Sequence, residues 1–403
     1  MPVTNPVSSG PLDGLTVLDL TRVLSGPYCT MQLADMGARV IKIEQPERGD
    51  DTRAWGPPFI ADESAYFLSI NRNKESLTLD LKSAAGRDIL DRLLDRADVL
   101  VENFRPGTME RLGLAYPAIA ERCRRLVYCS ISGFGQTGPR RDQPGYDAVV
   151  QAEGGLMSIT GEADGPAFRL GVAISDIVTG MFAAQGIALA LLARTRTGRG
   201  QHVDIGMLDS TAALLTYQAA IYFATGQAPV RMGNRHPTIV PYETFAASDG
   251  EFVLAVGNEQ LWRRFCALLG EPEMASDPRF ATNRDRVSHY AVLRPLLAAR
   301  LHERPRAEWI ERLRAAGVPC GSVRDVSEVL QDPQITAREM IAAVEHASLG
   351  AVHVLGVPIK LSATPGAVRT APPMLGQHTD QILRTDLGFS AAEIAHLRQT
   401  RTV

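Results

Sequence analysis

Gly133-Phe134-Gly135-Gln136-Thr137-Gly138 spells GxGxxG directly after a β-rich run, the order in which a dinucleotide-binding turn begins. Such a turn must open a helix whose N-terminus holds the pyrophosphate, whereas Pro139 and Pro144 follow here with no helical period. The motif is therefore expected to be a loop and not an NAD site. The second feature is Asp176, a lone carboxylate where small residues (Ala173-Ile174-Ser175) pass into an apolar helix (Ile177-Val178-Thr179-Gly180-Met181). Taken alone, an acid in a first helical turn is explained by the macrodipole and carries no function. No Walker lysine loop, GxSxG elbow or HExxH is present, and the eight histidines and five cysteines lack metal-ligand spacing.

The elements that would position these residues alternate. A β-rich run at 15–20, a helix pattern at 28–36 stopped by Gly37, and a run at 39–43 make a strand–helix–strand unit. Helix 84–97, strand 99–101, helix 116–123 and strand 125–131 continue the order, which predicts an α/β fold with an open parallel sheet covered by helices. Ligands of such sheets bind beyond the carboxyl ends of the strands. Two long helices, 175–193 and 207–222, read as buried. A second alternating region from Arg231 predicts a smaller α/β domain, with strand 252–256, helices at 259–269, 291–302 and 307–316, and strand 318–320. A terminal helix is expected after the Ser390 N-cap.

Composition bounds the rest. With 45% apolar and 22% charged residues the chain reads as globular, and 42 basic against 45 acidic side chains, with no block of like charge, argue against nucleic acid. The dispersed cysteines suit buried apolar positions in a reducing compartment. Residues 1–10 read as a flexible tail without a signal sequence, and no apolar stretch runs uninterrupted to a membrane span's length. A cytoplasmic protein with no membrane partner is expected.

Segments 19–27, 37–44, 49–53, Asn71-Arg72-Asn73-Lys74 and Glu102-Asn103-Phe104-Arg105-Pro106-Gly107, followed by Gly145-Tyr146-Asp147, 154–157, 176–181, 197–201, Gly233-Asn234-Arg235-His236-Pro237 and 375–379, resemble, in order and spacing, the class III CoA-transferases of the CaiB/BaiF family. The resemblance implies an interlocked homodimer. Each chain would have a split Rossmann-like large CoA-binding domain (11–225), an inserted small α/β domain (226–335) and a C-terminal segment (336–403) returning to the large domain. It makes Asp176 the nucleophile, acylated in turn by donor and acceptor, with CoA or acyl-CoA as substrate and no permanently bound cofactor or metal.

By similarity, Val23, Leu79, Lys82, Asn103, Phe104 and Arg111 would contact CoA, and Arg22, Leu24, Trp55, Tyr146, Asp147, Arg169 and His236 would line the substrate pocket. For Lys82 or Arg111 singly, an exposed helix charge is the commoner explanation. Ser25, Gly26 and the loop at Gly257-Asn258 are candidate oxyanion donors. Leu24, where formyl-CoA:oxalate enzymes carry glutamine, together with the lack of their glycine-rich lid, argues against oxalate as acceptor. Tyr146, where the racemase branch has histidine, argues against an α-methylacyl-CoA racemase. Carnitine-type transfer and a non-catalytic CoA-binding paralogue are the remaining rivals. Segments 49–58 and 132–139 most resemble the branch that uses succinyl-CoA and a dicarboxylate such as glutarate, whose far carboxylate would need a cation such as Arg22, Arg169, Arg235 or His236.

Overall fold

The structure, a computed structural model, describes residues 10–403; the expected tail at 1–9 lies outside the described residues. The described residues group into two compact units, one of residues 10–156, 170–219 and 333–403, the other of 157–169 and 220–332.

The first unit is built on six parallel strands, β1 (Thr16–Asp19), β2 (Arg39–Glu44), β3 (Lys74–Thr78), β4 (Val99–Glu102), β5 (Val127–Ser132) and β6 (His202–Gly206). Their spatial order is β3-β2-β1-β4-β5-β6, every neighbouring pair parallel. The order reverses between β1 and β4, which puts the crevice of a doubly wound sheet at the carboxyl ends of these two strands.

The helices that matter to the site are α1 (Ser25–Asp35), α2 (Ala65–Ile70), α3 (Ala84–Leu94), α4 (Thr108–Arg111), α5 (Tyr116–Ile119), α6 (Asp147–Glu153), α7 (Ile174–Thr197), α8 (Met207–Ala213) and α9 (Thr216–Thr225). Strand residues alternate between two cores. Leu18, Ile41, Ile43, Leu77 and Leu100 face α3 and the C-terminal helices, while Val17, Val40, Val99, Val101 and Val127 face α1 and α7. Both faces are covered, which is why the strands read as unbroken apolar runs.

The second unit carries a three-stranded antiparallel sheet of β7 (Tyr242–Ala246), β8 (Glu251–Ala255) and β9 (Cys320–Ser322), in the order β9-β8-β7. Helices α10 (Glu259–Leu269), α11 (Tyr290–Leu301) and α12 (Arg306–Ala315) cover it around Trp262, Phe265, Leu297 and Leu313. The chain then forms the hairpin β10 (Ile341–His346) and β11 (Gly350–Leu355) and ends in α13 (Thr379–Thr385) and α14 (Ala391–Gln399) of the first unit. Ser390 caps α14 in a reciprocal capping box with Glu393, as its position predicts.

Two expectations are corrected. The helix expected at 207–222 is two helices, broken where Thr216 adopts a left-handed φ of 34°, and α9 has no buried residue. Helix α7 is long and apolar enough to cross a membrane by length and composition, with a mean hydropathy of 1.7. One face of it packs on the first unit's sheet through Ala183, Ile187, Ala190 and Leu191, while Met181, Leu189 and Leu192 on the rest of the helix are exposed, so the expectation that it is buried holds for that face alone.

Candidate active site

At the end of β1 the chain must leave the sheet and enter α1 within five residues, and a buried charge network fixes that turn. Asp19 accepts hydrogen bonds from Thr21 N (2.9 Å), Thr30 Oγ1 (2.6 Å) and Lys74 Nζ (3.1 Å). Burial works to raise its pKa, but Lys74, Lys42 and the threonine hydroxyls outweigh burial and hold it at about 2. Lys42 Nζ donates to Thr21 O and to Asp50, each at 2.8 Å, and both side chains of this pair are fully buried. Asp50 Oδ1 in turn accepts from Thr52 N (3.0 Å) and Val23 N (3.2 Å).

That last bond holds Val23 at φ 70°, a left-handed conformation that a β-branched residue rarely takes without external support. From the β4 side, Asn103 holds both backbone polar groups of the preceding residue, accepting from Arg22 N (2.8 Å) and donating to Arg22 O (2.7 Å). At Gly26 an added Cβ would lie 2.3 Å from Thr21 Cβ, so only glycine lets α1 start this close to the turn.

Helix α7 comes in over α1. A Cβ on Gly180 would sit 2.6 Å from Ser25 O, so the glycine sets how near the two helices approach. The α7 N-terminus has no cap of its own; the Asp147 carboxylate, from the first turn of α6, accepts from Ser175 N (2.9 Å) and Asp176 N (3.4 Å). Asp147 is itself held by Gln151 Nε2 at 2.7 Å. Ser25 N–H and its hydroxyl, at the start of α1, favour the charged form of the Asp176 carboxyl. Burial first, then the Asp147 charge, push that carboxyl up to about 7 against these two groups.

Asp176 lies in a cleft of about 200 Å³ lined by Arg22, Val23, Ser25, Asp51, Asn103, Phe104, Ser132, Gly133, Tyr146 and Met207, among others. A neighbouring cleft of about 320 Å³ is lined by Leu79, Lys82, Thr108 and Leu112, and shares Arg22 and Phe104 with the first. Arg22 therefore stands between the two, its guanidinium 5.4 Å over the Phe104 ring and 3.5 Å from Asp51.

The residues expected at the site divide as follows. Arg22, Val23, Asn103, Phe104, Tyr146 and Asp176 line the first cleft; Leu79 and Lys82 line the second. Arg111 lies beside the second, donating to Thr108 Oγ1 at 2.9 Å. Leu24 is buried against Met31 and Ile70 in a small apolar cluster with Tyr66 and Ile177 at its edge. Trp55 is partly exposed and meets the Tyr66 ring edge-on at 5.2 Å.

Arg169 and His236 belong to the second unit, where Arg169 is exposed and His236 stacks on Tyr242 at 5.2 Å. Asn258, offered as an oxyanion donor, caps α10 by accepting from Leu261 N at 2.9 Å. The GxGxxG run is a loop: Gly133 packs on Gly145, its Cβ position 2.8 Å from Gly145 Cα, and the next helix begins only at Asp147.

Sequence reasoning missed Tyr66, whose hydroxyl is pushed up to about 12 by burial and by the charges of Asp176, Asp147 and Asp50. It also missed Ser132, Met207 and Asp51 in the cleft wall. No spacing marks them, because each arrives from a different element.

Comparison with known proteins agrees with this geometry. The family model described as CoA-transferase family III matches residues 12–379. An acetyl-CoA:oxalate CoA-transferase of Acetobacter aceti is 47% identical over 90% of this chain and 92% of its own length. A succinate–glutarate CoA-transferase of Agrobacterium fabrum is 41% identical over 98% of this chain and 99% of its own. Among solved structures, a CaiB/BaiF family protein from Brucella suis superposes with a TM-score of 0.83 at 42% identity, covering 94% of this chain and 100% of that one. A match of this length, together with a doubly wound sheet that carries the Asp176 carboxyl in the cleft at its switch point, makes the chain a member of CoA-transferase family III, the CaiB/BaiF family.

Proposed function

We propose that the protein transfers CoA from an acyl-CoA, succinyl-CoA in the first instance, to a dicarboxylic acid, with Asp176 as the covalent nucleophile. The observation that carries the reading is the Asp176 carboxyl, which lines the cleft together with Ser25 of the α1 N-terminus and is kept basic by burial and Asp147. A basic carboxylate is the better nucleophile toward a thioester.

Asp176 attacks the thioester carbonyl, the C–S bond breaks, and CoA thiolate leaves a mixed anhydride. The thiolate then attacks the Asp176 carbonyl and frees the donor carboxylate, leaving an aspartyl-CoA thioester. The acceptor carboxylate attacks that thioester, CoA thiolate leaves again, and its attack on the acceptor's carbonyl releases the new acyl-CoA and the Asp176 carboxylate. No net proton is consumed, and the substrate itself brings the CoA. Ser25 N–H and Oγ are the donors nearest the developing oxyanions, a role worth about 3–4 kcal/mol per donor where it has been measured.

The second cleft, with Leu79, Lys82 and Phe104, suits the nucleotide end, and Arg22 between the clefts is the cation in reach of both. Arg22 therefore becomes the leading candidate for the acceptor's far carboxylate. Diacid length is left open, since one relative is named for oxalate and others for glutarate, which removes the weight of Leu24 against oxalate.

The chain is proposed to act in the cytoplasm as an interlocked homodimer, with the sheet unit as the large domain and residues 220–332 as the core of the small one. Support comes from the apolar side chains that α7 and α9 leave uncovered, among them Leu189, Leu192, Tyr222 and Phe223, the last 81% exposed. Sedimentation that returns a dissociating monomer would remove the dimer from this reading.

The deciding experiment adds hydroxylamine during turnover with succinyl-CoA and maps the modified peptide: Asp176 should carry the hydroxamate, and a label elsewhere sinks the mechanism. A panel of acids then sets the acceptor. A diacid should exceed a monoacid of equal length by about ten- to a hundredfold, and Arg22→Met should erase the difference.

A further inference from the structure

Glu102 ends β4 and is 3% exposed, yet it touches neither cleft. One carboxylate oxygen accepts from Phe104 N at 2.9 Å; across the parallel β4–β5 register Glu102 pairs with Ser130, whose hydroxyl favours the charged form of the carboxyl. Ser130 Oγ lies 3.0 Å from His202 Nε2 on β6, and the His202 ring stacks on Tyr116 at 5.2 Å with Tyr128 edge-on at 5.5 Å. A separate cavity of about 190 Å³ opens onto all three groups.

The dipeptide that Glu102 holds does the gripping described above: Asn103 binds the backbone N–H and C=O of Arg22, and the Phe104 ring lies under the Arg22 guanidinium.

We propose that Glu102, Ser130 and His202 form a proton-sharing hydrogen-bond chain that positions Asn103 and Phe104, and through them Arg22, so that affinity for the CoA thioester depends on a proton held outside both clefts. With Glu102 ionised, His202 Nε2–H donates to Ser130 Oγ and Ser130 donates to the carboxylate. With Glu102 protonated, its O–H donates to Ser130 Oγ, Ser130 turns to donate to Nε2, and the imidazole proton sits on Nδ1. The protein gains one proton in all, at Glu102; the Nε2 proton leaves through the cavity as Nδ1 takes one up. Glu102 is a positioning residue, acting through Phe104 N, to which a carboxylate is a stronger acceptor than a neutral acid.

The surroundings favour a proton that moves near neutrality. Burial first, then Glu110 of α4 and Asp204 of β6, raise the Glu102 carboxyl to about 7 against the Ser130 hydroxyl and the bond from Phe104 N, which lower it. The cation nearest on the cavity wall, Arg105, is turned to the Asp142 carbonyl. Tyr128 and Cys129 of β5, also near, are held neutral by burial, and burial lowers the His202 pKa against the charge of Asp204, which favours the uncharged ring.

The inference rests on the proposed CoA site, so its test has one arm without substrate. In the free protein, ¹⁵N chemical shifts of His202 should move from the Nε2–H to the Nδ1–H tautomer as pH falls from about 8.5 to about 5.5. In the second arm KM for acyl-CoA should rise about fivefold over the same fall, the size expected when a charge-assisted bond becomes a neutral one. Glu102→Gln donates permanently to Ser130, so it should lock Nδ1–H and hold KM high and flat with pH. Ser130→Ala, the second variant if Glu102→Gln does not fold, should uncouple the tautomer from pH and move the KM midpoint upward. A fixed His202 tautomer in the wild type overturns the chain. A pH-dependent KM retained in Glu102→Gln overturns the positioning role even where the tautomer shifts, and neither result touches the Asp176 chemistry.

Discussion

Replacing Asp176 by asparagine should make the folded protein more stable at alkaline pH while abolishing transfer. The carboxyl loses its proton near 7 in the fold and near 3.8 when unfolded, because burial and Asp147 disfavour the charge. A displacement of that size corresponds to a ceiling of about 4 kcal/mol at 1.36 kcal/mol per pH unit. Partial exposure and the loss of ideal bonds from Ser25 reduce the expectation to about 1–3 kcal/mol.

The sign follows from linkage. Between 3.8 and about 7 the folded chain binds more protons than the unfolded one, so wild-type stability falls as pH rises through that window. Asparagine does not titrate, so the difference between the proteins should be near zero at about pH 4 and complete above about pH 8. Urea midpoints at fixed protein concentration, measured for both proteins across this range, give the difference directly. An equal gain at both ends of the range, or none at the alkaline end, would falsify the account of how Asp176 is kept basic.

Turnover should report the same proton: kcat/KM falls below about pH 7, and Asp147→Asn, which keeps an acceptor for Ser175 N, should move that break to lower pH. An unmoved break would show that Asp147 does not tune Asp176. Asp50→Ala strands the fully buried Lys42 ammonium and should cost about 3–5 kcal/mol in denaturant unfolding; a loss under about 1 kcal/mol would contradict the proposed network. Gly180→Ala drives a methyl against Ser25 O, so it should lose about 1–3 kcal/mol of stability and most activity by displacing Ser25 from Asp176. Normal turnover in that variant would mean the α1–α7 spacing is not what sets the pair.

The parallel sheet was legible because both of its faces are buried: Val40-Ile41-Lys42-Ile43 reads as a strand in any context. The strand order was not, since nothing local distinguishes the neighbours of β1. Asp176 was visible only as a helix-entry acid, and its significance came from the ordered family segments. Asp147 was expected in the pocket through the family segment Gly145-Tyr146-Asp147; its service as a cap to α7 depends on a contact 28 residues away. Asn103 was expected at the ligand, and it lines the cleft, but its amide is engaged with Arg22. The break at Thr216 left no mark in an apolar run that reads as one helix.

The turn after β1 is braced by ions that solvent does not reach. Lys42, Asp50, Lys74 and Asp19 have side chains with no exposed surface. Mobile counter-ions screen charges at the surface within a Debye length of about 8 Å at physiological ionic strength, but they do not enter a closed interior. Concentrated salt would therefore weaken exposed pairs such as Arg22–Asp51, 48% and 56% exposed, while leaving the backbone that carries Arg22 in place. The guanidinium would be released from its partner without the turn loosening, so brine should change how strongly the enzyme prefers charged acids long before it changes the shape of the crevice.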